Sequence, residues 1–322
     1  MRALLLRTLD GPDGLLPADI PEPQAKELVL VEVHTAGVSY ADTLATRGRY
    51  QLRVEPPFVP GTEIAGRVRF APAETGFRPG DRVAAFVRWG AWAELAAADP
   101  SYTFRLPDRL GYEEAAALAL NYRTSYFALL WRGNLRAGET VLVHGAAGGV
   151  GSAAVQIAKS AGARVLASVS GEEKRAAAAM AGAERVFEIR DDWLEADREF
   201  TRAKGVDVVF DPVGGELFDD SVRALAPGGR LLVVGFAGGS IPTVAVNRLL
   251  LRNASVVGVA FPEYAAHHPT MPARVAEAIL GMHAKGDIRP LIGRRYPLER
   301  GAEALRALEA RRAVGKLVLA VR

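Results

Sequence analysis

Between Glu27 and Thr35, polar residues interrupt an apolar run at a spacing of two, the period of a strand with one face buried. Short runs of similar character recur at 64–70, 82–87 and 92–97, and the apolar stretch after Met1-Arg2 predicts a first strand. Pro60-Gly61 and Pro79-Gly80-Asp81 fall between them, residues that preset or permit turn angles. Strands at this spacing predict a barrel-like β domain. One helix interrupts it at 39–47, with Ser39 as a candidate N-cap. Near Pro107 the character changes. Segments 113–120 and 124–131 are helical, and beyond them strands and helices alternate. Strands are predicted at 141–143, 163–169, 185–189, 206–210, 229–234 and 254–260, and helices at 152–161, 172–181, 192–203 and 216–225. Six strands alternating with helices predict a doubly wound α/β sheet. The tail carries helices at 272–285 and 298–311 and a strand at 316–321, expected to return to the β domain. The α/β part is then an insertion: 1–118 and 261–322 form one domain and 119–260 the other.

Composition narrows the classes of function. At 322 residues, 49% of them hydrophobic, the chain supports two domains with real cores. No run of ~18 uninterrupted apolar residues is present, so no membrane span is expected. The basic and apolar start is cut by Asp10 and Pro12, too early for a secretion signal, and a cytoplasmic location is expected. Cysteine is absent, which removes disulfides, thiolate nucleophiles and cysteine-based zinc sites. The net charge is +3 with both signs interleaved, so no nucleic-acid partner is expected. Arginine outnumbers lysine, and asparagine and glutamine are few; heat stability and GC-rich coding bias both account for that.

The strongest chemical signal is Glu139-Thr-Val-Leu-Val-His-Gly-Ala-Ala-Gly-Gly-Val-Gly-Ser152, which reads as strand, glycine loop and helix. That order makes a dinucleotide-binding turn, in which free N–H groups at the helix start meet a pyrophosphate. Ala147, Gly148, Gly149, Val150 and Gly151 are the expected cradle, although Ala146 stands where the first glycine of the motif is usual. Ser152 lies in no G-x-S-x-G elbow and no G-K-[ST] sequence occurs, so hydrolase and P-loop readings fail. Where an NAD enzyme places an acid to hold the ribose 2′-OH, this chain has Val169. Ser170, Lys174 and Arg190 offer a hydroxyl and two cations instead, pointing to the 2′-phosphate of NADP(H). Glu173 is expected to fold back on Ser170 as a capping box, away from the ribose. A second reading leaves Lys174 and Arg190 as solvated surface charges. Gly235 and Phe236 follow the fifth strand of the sheet and are candidates to wall the nicotinamide.

These residues carry a resemblance to the zinc-free, quinone oxidoreductase-like branch of the medium-chain dehydrogenase/reductases, over nearly the whole chain. Ala36-Gly-Val-Ser-Tyr-Ala-Asp42 resembles its A-G-(V/L)-N-x-x-D segment, Gly48-Arg49-Tyr50 its G-x-Y, Pro60-Gly61-Thr62-Glu63 its P-G-x-E and Gly80-Asp81-Arg82-Val83 its G-D-x-V. Ala146 to Gly151, Asp211-Pro-Val-Gly214-Gly215 and Gly315-Lys316 complete the set. The resemblance implies a GroES-like β-barrel catalytic domain split around a Rossmann domain, with NAD(P)H in the cleft. It also implies a quinone, enone or aldehyde as the small-molecule substrate. It places Tyr40, Asp42, Tyr50, Asn121 and Thr124 at the substrate, with Tyr50 and Thr124 as donors to its oxygen, and adds Gly258 and Lys316 to the cofactor residues. For Tyr50, a packing role is the open alternative, and for Asp42 a capping role. The resemblance further implies a homodimer pairing the edge segment 254–261.

The departures are specific. Zinc-dependent relatives carry Cys and His where this chain has Ser39 and Thr62; Leu120 falls near the third ligand and only Glu63 remains. No zinc is expected, and the adjacent His267-His268 is read as a loop pair. The branch has Asn at the place of Ser39 and a Tyr at that of Ile189. Two functions stand in competition: hydride transfer from NADPH to a quinone or activated enone, and a non-catalytic NADP(H)-binding sensor or structural protein.

Overall fold

The computed structural model describes residues 1–189 and 193–322. Its strands are β1 (Arg2–Leu6), β2 (Leu15–Asp19), β3 (Val29–Val38), β4 (Glu63–Phe70), β5 (Arg82–Phe86), β6 (Leu95–Ala98), β7 (Thr103–Arg105), β8 (Thr140–Val143), β9 (Arg164–Val169), β10 (Arg185–Glu188), β11 (Val206–Asp211), β12 (Leu225–Val233), β13 (Ser255–Gly258), β14 (Ile292–Pro297) and β15 (Lys316–Ala320). They fall into two compact units. The first comprises Met1–Leu120, Pro269–Ala276 and Pro290–Arg322; the second comprises Asn121–His268 and Glu277–Arg289.

In the first unit the strand order is β14-β15-β3-β4-β5-β7, with β6 also paired to β3 and β1-β2 forming a separate antiparallel pair. The long β3 organises this sheet. Val29, Val31 and Val33 are buried on one side of the pleat, and Ala36 and Val38 extend the strand far enough to receive β15. The C-terminal strand therefore does return, antiparallel to β3, with Leu319 opposite Ala36. Leu4, Val31, Ile64, Val83, Trp92 and Leu319 belong to the core it closes. Trp92, expected inside a strand, instead precedes β6, and its indole N–H donates to the Gly37 carbonyl at 3.0 Å.

The second unit is a six-stranded parallel sheet in the order β10-β9-β8-β11-β12-β13. Chain order reverses beside β8, so the loops leaving the carboxyl ends of β8, β9, β11 and β12 gather at the switch point, where open sheets bind ligands. All four residues of β8 are buried, which explains an apolar run without alternation. The helix expected at 124–131 belongs to a longer helical run. It contains α turns at Tyr112–Ala117 and Arg123–Tyr126 and π turns at Leu118–Tyr122 and Phe127–Arg132. The expected boundary at 260/261 shifts. The helix Phe261–Ala266 stays with the second unit, Phe261 meeting Phe127 edge-on at 5.3 Å and the Tyr264 hydroxyl accepting the Trp131 indole N–H at 3.0 Å.

Candidate active site

The turn after β8 is tighter than its sequence suggested. Gly145, one residue before the expected loop, adopts φ +61 and carries the reversal, which answers the alanine at 146. Its carbonyl accepts the Gly148 N–H at 3.0 Å, and the Ala146 N–H donates to the Ser168 carbonyl on β9 at 3.1 Å. The helix Gly149–Ser160 follows with Gly148 as N-cap; no side chain caps it and no acid stands in its first turn. Its first N–H groups and positive dipole end are thus presented to an anion. A Cβ on Gly151 would lie 2.1 Å from the Gly145 oxygen, so only glycine fits there. Ser125 braces the same turn, its hydroxyl donating to the Val150 carbonyl at 2.9 Å. That places the neighbouring Thr124, half-buried, and Asn121, buried, on the run packed against this helix. Neither Gly145 nor Ser125 was singled out from the sequence. The glycine is visible there as one more small residue, but its left-handed angle is not.

Beneath the turn, His144 is fully buried, its two ring nitrogens 2.7 Å from the Ser168 hydroxyl and 2.8 Å from that of Ser221. Ser221 donates to the Leu217 carbonyl at 2.6 Å and so accepts from Nε2–H, leaving Nδ1 to accept from Ser168. Burial lowers the His144 pKa, and the imidazole is a neutral brace.

At the end of β9, the Lys174 ammonium donates to the Ser170 hydroxyl at 2.7 Å. The capping box expected of Ser170 and Glu173 does not form. The helical turn Glu172–Lys174 starts from Gly171 at φ 151, with no side-chain cap, which leaves the Ser170 hydroxyl to Lys174. Arg190 lies outside the described residues. After β11, one Asp211 oxygen accepts the N–H groups of Val213 and Gly214, each at 2.8 Å. After β12, Ala237 and Gly238 donate to the carbonyls of Pro212 and Val213. Gly214 lacks the Cβ that would lie 3.0 Å from the Phe236 ring, so Gly235 and Phe236 stand against the loop after β11. Gly258 ends β13, its carbonyl accepting from Arg132 at 3.1 Å.

The first unit holds Tyr40, Asp42, Tyr50 and Lys316. Asp42 is 0% exposed, and one carboxylate oxygen accepts both the backbone N–H (2.7 Å) and the hydroxyl (2.8 Å) of Ser39, at the start of the helix Tyr40–Ala45. Of the two roles left open for it, the structure displays the capping one. Burial pushes its pKa up to about 6, against the Ser39 hydrogen bonds and the Lys316 charge. Lys316, expected at the cofactor, is 3% exposed and its ammonium binds Glu63, itself fully buried. Glycine at 37 makes room, since a Cβ there would lie 2.4 Å from the Glu63 side chain. Tyr40 and Tyr50 are half-buried, and the Tyr50 ring meets Trp89 edge-on at 6.0 Å. Among the described residues, no three His, Asp or Glu side chains gather as a metal-binding group.

Residues 25–108 match the alcohol dehydrogenase GroES-like domain and residues 149–279 the domain described as zinc-binding dehydrogenase. A bovine quinone oxidoreductase-like protein 2 is 37% identical over 309 residues, covering 94% of this chain and 87% of its own. The chain belongs to the medium-chain dehydrogenase/reductase family, in its quinone oxidoreductase-like branch. Two solved structures match it throughout. A probable oxidoreductase from Mycobacterium abscessus is 45% identical with a TM-score of 0.92, covering 100% of this chain and 99% of its own. The quinone oxidoreductase of Thermus thermophilus, whose complex with NADPH is known, is 35% identical with a TM-score of 0.84, covering 100% of both chains. The GroES-like and Rossmann halves of the family are thus the two units described above.

Proposed function

We propose that this medium-chain dehydrogenase/reductase is a cytoplasmic, zinc-independent oxidoreductase that uses NADPH to reduce a quinone or an α,β-unsaturated carbonyl. The observation that carries the reading is the turn after β8, where the Gly145 carbonyl leaves no room for a Cβ on Gly151 and the uncapped helix start faces outward. Ala147 to Gly151 would hold the pyrophosphate, and Ser170 with Lys174, 2.7 Å apart, the 2′-phosphate. Gly235 and Phe236, fixed against the loop after β11, would bound the nicotinamide, and Gly258 lines the next strand end. The bound cofactor supplies the hydride. The chain's own task is to position the acceptor and to meet the charge that arrives on its oxygen, which one or two hydrogen-bond donors accomplish. We assign the donors to Tyr50 and Thr124, with Tyr40 and Asn121 beside them in sequence. Asp42 acts through Ser39, and Lys316 through Glu63. Zinc independence rests on Ser39 and Thr62, whose neutral hydroxyls are poor zinc ligands. We further propose a homodimer through β13.

One observation favours the non-catalytic alternative: Asp42 and Lys316, two of the candidate polar groups, are engaged inside their own unit. NADPH consumption with a panel of quinones and enones separates the two. Turnover well above the enzyme-free rate is expected, unaffected by a chelator. Tight NADPH binding with no turnover would establish the sensor instead, and activity lost to a chelator and restored by zinc would refute the metal-free reading.

A further inference from the structure

Where β14, the face of the helix Gly301–Glu309 that carries Glu303, Arg306 and Ala307, and segment 312–314 meet, the first unit holds a groove of about 540 Å³. That volume lies inside the roughly 300–1,000 Å³ usual for small-molecule sites. Its floor is apolar, made by Tyr296, Ala313 and Leu317, and its charged lining is Arg294, Arg306, Arg312 and one carboxylate, Glu303. Side chains alternate along β15, so Leu317 and the buried Lys316 lie on opposite faces, and the groove is separate from the Glu63 pair.

The charges do not cancel. Glu303 is held by Arg300, and Arg306 by Asp13 at 2.5 Å. Arg294 lies 5.0 Å over the Tyr296 ring, and neither it nor Arg312 pairs with a carboxylate among the described residues. Arg300 chiefly, with Arg294 and Arg306, holds the exposed Glu303 carboxyl below its ordinary range. Two guanidiniums without a carboxylate partner, lining a mixed polar and apolar groove, suit a doubly charged oxyanion attached to an apolar body, because the planar fork of N–H groups matches phosphate oxygens.

We propose that this groove binds an organic phosphate monoester, its phosphate between Arg294 and Arg312 and its apolar body against Tyr296, Ala313 and Leu317. The site is independent of the nucleotide turn and stands whether or not the chain reduces quinones.

Phenyl phosphate is the probe, titrated calorimetrically into the full chain with NADPH present in excess. Saturable binding near one per chain is expected, weakening as salt is added. Inorganic phosphate and benzoate should each bind about tenfold more weakly or worse, because one lacks the apolar body and the other the second charge. Arg294→Ala combined with Arg312→Ala should weaken phenyl phosphate about tenfold or more while leaving the melting temperature and NADPH binding unchanged. If the double variant melts early, Arg312→Gln alone should still show the loss. The proposal is overturned by no saturable binding, by undiminished binding in the variants, by equal affinity for inorganic phosphate or benzoate, or by binding that disappears in Lys174→Ala.

Discussion

A methyl group on Gly151 would lie 2.1 Å from the Gly145 oxygen, whereas one on Gly148 would lie 3.4 Å from the same atom, an ordinary contact. The two glycines therefore answer to different demands. Gly148→Ala should fold with a near-native melting temperature and yet weaken NADPH about tenfold or more, because the added carbon would sit where the proposed site brings the pyrophosphate. Gly151→Ala should lose both binding and stability, by about 1–3 kcal/mol from the forced backbone shift. Fluorescence titration and melting curves check both; equal stability of the two variants would refute the distinction. In the proposed site, cofactor choice rests on Lys174. Losing its charge-assisted contact should cost about 1.5–3 kcal/mol, so Lys174→Ala should weaken NADPH about tenfold or more while leaving NADH nearly unchanged. Parallel titrations test it, and equal loss with both nucleotides would remove the assignment. The glycine turn was legible because small residues between a buried strand and a helix mark a tight reversal. The capping of Asp42 was legible as one of two readings, whereas the engagement of Lys316 was not. Glu63 and Lys316 stand 253 residues apart and meet only because β3 pairs with both β4 and β15.

The helix Trp193–Thr201 carries a carboxyl that its apolar surroundings do not favour. Asp197 is 2% exposed, lies in the unit whose core holds Trp193 and Phe218, and one of its oxygens has no partner among the described residues. Burial pushes its pKa up to about 7, only partly opposed by Arg198. The native chain then keeps a proton that the unfolded chain releases near pH 4, so folding loses stability as pH rises from about 4 to about 7 and no further above it. The slope approaches about 1.4 kcal/mol per pH unit. Asp197→Asn removes the charge at nearly constant shape, so its stability relative to wild type should climb across that window and then level off. Urea titrations at several pH values measure the difference; a constant difference would show the carboxyl to be ionised throughout. Elements differed in how openly the sequence declared them. The β8 strand and the helix after it were plain from the change of period. The short strands β2 and β14 were not: Pro17 lies in β2, which pairs with β1 in a two-stranded sheet, and Arg294 and Arg295 lie in β14, at the end of the larger sheet. Position at a sheet edge permits such residues, and edges exist only once the sheet is assembled.

At the scale of the whole molecule, the split of one domain around another was readable from a strand-like segment at 316–321 that follows the α/β region. The edge segment expected at 254–261 is the shorter β13, at the end of the second unit's sheet. β13 is its last strand, and four side chains in the segment before it stand in solvent: Ile241 at 77%, Val246 at 70%, Leu250 at 77% and Leu251 at 81%. An unpaired strand edge beside an exposed apolar patch is an aggregation hazard unless another chain covers it. The same elements in a second copy can do so, with β13 pairing across a two-fold axis and the patch self-complementary, as closed symmetry demands. Sedimentation at micromolar concentration should therefore find a dimer. Leu250→Glu combined with Leu251→Glu should shift it to monomer, because like charges would be buried opposite each other, and should leave the melting of each unit's own core largely intact. A wild-type monomer under these conditions would refute the edge-pairing reading. A dimer undisturbed by the two glutamates would place the interface elsewhere on the chain.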